Sequence, residues 1–95
     1  MDNHKIIKRP IVTEKSTQMM QEDNQYVFEV DRDANKIEIA RAINELFNVK
    51  VTSVRTFNFI GKERRMGFHS GTRPAWKKAV VTLKEGETLP IIEGI

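Results

Sequence analysis

Residues 35–48 can do little but form one amphipathic helix, and that helix dictates what the rest of the chain must supply. Asn35-Lys36-Ile37-Glu38 reads as a capping-box variant, with Asn35 as N-cap and the Glu38 carboxylate reaching back to its backbone N–H. Ile39, Ala40, Ile43, Leu46 and Phe47 then recur at helical spacing, so the helix has a single apolar face. Asn48, a residue tolerant of left-handed geometry, ends it. One apolar stripe must be covered by another element, and the flanking segments carry the period of strands.

Before the helix, residues 25–31 alternate, with Tyr26, Phe28 and Val30 on one face and Glu29 and Asp31 on the other. After it, residues 49–60 are rich in β-branched and aromatic types. Val49, Val51, Phe57 and Phe59 share one parity, which Arg55 interrupts. Residues 75–84 predict the next strand, with Ala79, Val81 and Leu83 on one face and Trp76 and Val80 on the other. Nearer the start, Pro10 favours an extended Arg9. Thr13 then N-caps a short helix that carries Glu14 in its first turn, runs to about residue 21 and stops at the turn-prone Asp23-Asn24. A brief strand is expected across residues 6–12, a turn at Lys84-Glu85-Gly86, and a tail of mixed character beyond it. The order predicts an α+β fold: a mostly antiparallel sheet of three to four strands covered by helices. At 95 residues the chain makes a single domain, 1–95, with an expected radius of gyration of about 12–13 Å.

The connection between the last two strands, residues 61–74, is far longer than the two to five residues usual in a hairpin, and loops of such length are commonly functional or disordered. It is also where the charge lies. Lys62, Arg64, Arg65, Arg73, Lys77 and Lys78 face Glu63 alone across residues 60–78, a balance of +5 on a chain whose net charge is +3. Folded back on itself, such a connection has arms of about 20 Å at strand rise, longer than the expected radius of the body. Its apolar residues, Met66 and Phe68, therefore need an external surface. Arginine's planar fork suits phosphate oxygens, and Phe68, His69 and Trp76 are of the kind that stack on unpaired bases. Gly61, Gly67 and Gly71 permit close backbone approach. A solvated charge run is the bland alternative, but basic and aromatic residues alternate here rather than serine and glutamate. The expected function is RNA binding.

An enzyme is the rival class. The chain has no cysteine, no phosphate-cradling Gly-x-x-x-x-Gly-Lys and no His-Glu-x-x-His, so thiol nucleophiles, disulfides and thiolate metal sites are excluded. His4 and His69 are isolated, and Glu22, Asp23, Asp31 and Asp33 sit in turns where solvation explains them. Neither catalytic residues, metal nor cofactor is expected. No apolar run approaches membrane-spanning length and no signal peptide opens the sequence, which makes a cytoplasmic protein without membrane insertion the expectation.

Four stretches together resemble a known family. Arg9-Pro10-Ile11-Val12-Thr13-Glu14-Lys15-Ser16 is similar to the opening signature of the bacterial large-subunit ribosomal proteins numbered twenty-three. Ala34-Asn35-Lys36-Ile37-Glu38-Ile39 with Leu46-Phe47-Asn48-Val49-Lys50-Val51 resembles their central helix and the strand after it. Gly61-Lys62-Glu63-Arg64-Arg65-Met66-Gly67 resembles their hairpin arm, and Trp76-Lys77-Lys78-Ala79-Val80-Val81-Thr82-Leu83 the return strand. The resemblance implies that the return strand lies between the other two. It also implies contact with 23S rRNA and neighbouring ribosomal proteins beside the nascent-polypeptide exit tunnel. Lys62, Arg64, Arg65, Arg73, Lys77 and Lys78 become candidate phosphate contacts, and Trp76 a packing or stacking residue at the base of the arm. By the same resemblance, Glu14 helps form the docking point for trigger factor and signal recognition particle. The different-class alternative is a protein–protein docking module that merely sits on RNA.

Overall fold

A computed structural model describes residues 3–59 and 75–89, and between them the backbone of residues 63–66 and 69–72. In chain order the elements are α1 (Asn3–Ile6), β1 (Ile7–Pro10), α2 (Glu14–Asp23), β2 (Gln25–Val30), α3 (Lys36–Phe47), β3 (Val51–Phe59), β4 (Glu63–Met66), β5 (His69–Thr72) and β6 (Trp76–Leu83). β1, β2, β6 and β3 form one sheet in that order, antiparallel at every junction. The last strand thus enters between β2 and β3, as the resemblance implied, and the fold is α+β. β4 and β5 pair separately, with Glu63 opposite Thr72 and Met66 opposite His69.

α3 forms because both ends are satisfied locally. The Glu38 N–H donates to Asn35 Oδ1 at 2.8 Å, and the Asn35 N–H donates to Glu38 Oε1 at 3.1 Å. Asn48 closes the other end at φ 54°, with its N–H bonded to the Asn44 carbonyl at 2.8 Å. Asn35→Ala removes one cap and is expected to cost about 1 kcal/mol. Urea unfolding checks this: the midpoint should fall with an unchanged m-value, and an unmoved midpoint would show that the cap contributes nothing.

The helix lays Ile39, Ala42 and Ile43 on the sheet, with Leu46 and Phe47 alongside, while Ile37 stays in solvent. Spacing alone passed over Ala42 and put Ala40, only half-buried, in its place. β2 contributes Tyr26, Phe28 and Val30 to this core, and β6 contributes Ala79, Val81 and Leu83. α1, absent from the sequence reading, adds Ile6 and is tied to α3 by Asn3 Nδ2 donating to Glu45 Oε2 at 2.6 Å. Past the turn at Gly86 (φ 89°), Leu89 returns to the core, its N–H donating to the buried Tyr26 hydroxyl at 3.3 Å. The tail of mixed character is therefore pinned at least to Leu89.

The reading of β3 needs correction. Val51 pairs with Leu83 and Ser53 with Thr82, so β3 spends an extra residue there and its pattern changes face. Val49 and Val51 turn to the core, whereas Arg55, Phe57 and Phe59 share the opposite face with Lys78 and Trp76. Arg55 interrupts nothing; it continues the outer row. α2 also runs slightly further than expected, to Asp23, and Asn24 caps it in the left-handed region. It covers β2 on that outer face, where Val27 and Val80 are buried. The radius of gyration is 15.0 Å and the extents are 52 × 30 × 21 Å, more elongated than a compact body of this length.

Candidate nucleic-acid interface

β6 carries three of the predicted site residues, and strand alternation separates them. Trp76 and Lys78 share the outer face, whereas Lys77 projects from the other. Lys77 is half-buried, and its ammonium donates a hydrogen bond to the Ala34 carbonyl, tying β6 to the loop before α3. Its anchorage to the body leaves Lys78 the more available cation of the pair.

On the outer face, register places Phe59 opposite Trp76 and Phe57 opposite Lys78. The Phe59 and Trp76 rings stack with centroids 4.5 Å apart and planes 12° from parallel. Lys78 Nζ stands 5.2 Å from the Phe57 centroid and 5.3 Å from that of Phe59, within cation–π range of both. Both phenylalanines remain substantially exposed, at 42% and 40%. Between this row and α2 runs a cleft of about 440 Å³, floored by Val27 and Val80 and edged by Lys15, Arg55 and Lys78. Sequence reasoning did not place Phe57, Phe59, Arg55 and Lys15 on this face beside Trp76 and Lys78. The shared parity of Phe57 and Phe59 was the available signal, and the irregularity at Val51/Ser53 concealed which face they occupy.

Glu14 is the first residue of α2, and local bonds hold that end. The Ser16 N–H donates to Thr13 Oγ1 at 3.1 Å, and the Thr13 N–H donates to Ser16 Oγ at 2.7 Å. Capping is thus done by Thr13 and Ser16, leaving the exposed Glu14 carboxylate without a partner among the described residues. Glu14 does not line the cleft. Lys62 and Arg73 lie outside the described residues, as do Gly61, Gly67, Phe68 and Pro74. Arg64 and Arg65 stand on β4, in backbone register with Gly71 and Ser70.

Little here offers catalysis. Asp31 is used structurally, its Oδ1 accepting the Asp33 N–H at 2.8 Å. Among the described residues no group of three or more His, Asp or Glu could hold a metal, and no helix is long and apolar enough to cross a membrane.

Comparison with known proteins decides the family. The family model for ribosomal protein L23 matches residues 5–91. The chain belongs to the ribosomal protein L23 family. It is 54% identical over 94 residues to the large ribosomal subunit protein uL23 of Roseiflexus sp. (strain RS-1), covering 99% of each chain. The uL23 of Desulfatibacillum aliphaticivorans is 52% identical over 95 residues and all of both chains, and that of Anaeromyxobacter sp. (strain K) is 51% identical over 89 residues, 94% of this chain and 92% of the relative. A member of this L23 family is a ribosomal protein, a structural component and not an enzyme.

Proposed function

We propose that this L23-family protein is a structural constituent of the large ribosomal subunit, working in the cytoplasm within the ribosome. It binds 23S rRNA beside the polypeptide exit tunnel through segment 61–74 and the strand residues that flank it. The observation that carries the reading is the segment itself. A connection with Lys62, Arg64, Arg65 and Arg73 against one Glu63 joins β3 to β6, and within it β4 and β5 form their own antiparallel ladder. Such pairing suits an arm that leaves the body, and the 52 Å long dimension supports it. Phosphate contacts come from Lys62, Arg64, Arg65, Arg73, Lys77 and Lys78; Lys77 spends one of its three N–H donors on the Ala34 carbonyl and so also braces the base of the arm. Trp76 anchors that base through its stack on Phe59. Titration of deproteinised 23S rRNA against salt tests this half of the reading.

The second half concerns Glu14. Its carboxylate is exposed and unused by the cap, so it is free to meet the factors that engage emerging chains, trigger factor and signal recognition particle. Neighbouring ribosomal proteins and the nascent polypeptide complete the expected surroundings. Glu14→Lys reverses the charge while the Thr13–Ser16 cap persists. Co-sedimentation of trigger factor with ribosomes carrying this variant should fall about tenfold or more, as expected for a like charge set against a charged contact. Subunit assembly should be unchanged, and undiminished co-sedimentation would remove the docking role.

A further inference from the structure

We infer that the outer sheet face formed by β3, β6 and α2 is a second RNA-binding surface, on which an unpaired base stacks against Phe57 and Phe59. This deepens the rRNA-binding reading and rests on it. It adds four residues that lie outside the basic segment: Lys15, Arg55, Phe57 and Phe59.

Geometry supplies the platform. Strand alternation after the irregularity at Val51/Ser53 sets Arg55, Phe57 and Phe59 in one row, and β6 sets Lys78 and Trp76 beside it. α2 covers the β2 side, burying Val27 and Val80, but leaves the β3 side open. A single exposed phenylalanine would carry no information. Two on one strand, adjoining a stacked tryptophan, make a contiguous apolar patch of the kind that marks an interaction surface. The stack with Trp76 also fixes the Phe59 ring before any ligand arrives, so little side-chain freedom remains to be lost on binding.

Charge selects the occupant. Lys15, Arg55 and Lys78 edge the cleft, and among the described residues no carboxylate lines it; Asp33 borders the adjoining hollow at Phe59 and Trp76, together with Arg32. None of the three is ion-paired among the described residues. Glu29, opposite Lys78 in register, is already engaged by Arg9 at 2.8 Å. An apolar peptide would cover the rings and leave three cations unanswered. A base-paired helix would answer the cations but draw Lys78 off the Phe57 and Phe59 rings and leave those rings uncovered. An unpaired nucleotide does both, its base on the rings and its phosphates on Lys15, Arg55 and Lys78. The cleft volume of about 440 Å³ lies within the range of small-ligand sites.

The test follows the fluorescence of Trp76, the only tryptophan, in the full chain. A short oligoadenylate is compared with an abasic oligomer of the same length and charge. Oligoadenylate should quench Trp76 and bind about 10-fold tighter, the scale of one stacked base. Phe57→Leu with Phe59→Leu, both exposed positions, should bring the ratio close to one while circular dichroism stays unchanged. Equal binding of the two oligomers, or a ratio that survives the double substitution, overturns the proposal. So does quenching by an uncharged apolar peptide without any response to oligoadenylate, which would make the face a protein-docking surface. Binding of deproteinised 23S rRNA is measured in parallel to separate the two failures. Loss of that binding in the unmodified chain would overturn the parent reading and this one with it. Its retention alongside equal oligomer binding would overturn this inference alone.

Discussion

Phe28→Ala is expected to lower stability by about 3–5 kcal/mol, the range for emptying a fully buried aromatic site. Phe28 is completely inaccessible at the centre of β2, packed among Val30, Ala79, Val81, Ile39 and Ile43. Its neighbours belong to a sheet and a helix with caps at both ends, so the cavity cannot collapse cheaply. A domain of this size has roughly 5–14 kcal/mol of stability in total, so the loss is a large part of it. The midpoint of thermal unfolding should drop on the order of 20 °C. Ile37→Ala is the matched control. Ile37 is 71% exposed in the first turn of α3, and its loss should cost less than about 0.5 kcal/mol. Similar losses for the two would mean that the core does not sit where the sheet and α3 meet.

The second large effect is on binding. Arg64→Ala combined with Arg65→Ala should weaken 23S rRNA binding about 10- to 30-fold near physiological salt, from the counterion release of two lost phosphate contacts. The salt slope should become shallower by roughly 1.4 to 1.8. Thermal stability should stay almost unchanged, because both residues lie on β4, which pairs with β5 and not with the main sheet. A marked fall in melting temperature would mean that the arm packs against its own body.

Much of this was legible in the residues because it depends on neighbours in sequence. Asn35, Glu38 and Asn48 state where α3 begins and ends, and its spacing states which face is buried. The alternation of Tyr26, Phe28 and Val30 states the inward face of β2, and Asn24 the end of α2. What failed depended on partners distant in the chain. The irregularity at Val51/Ser53 exists only against Leu83 and Thr82, so parity alone sent Phe57 and Phe59 to the wrong face. Leu89 read only as part of a tail of mixed character, and the Tyr26 hydroxyl and the core give it a place. Lys77 and Lys78 read as equivalent members of one basic run until the pleat divided them. The basic character of segment 61–74 was fully legible, being a matter of composition. The aromatic face beside it was not, because Phe59 and Trp76 meet only once β6 has paired with β3.

The central claim is that this protein holds 23S rRNA chiefly through phosphate contacts made by its basic segment. The affinity of the full chain for deproteinised 23S rRNA, measured across a series of salt concentrations, tests it most directly. Six phosphate contacts predict that log K falls against log salt with a slope of about −4 to −5; a slope near zero would contradict it.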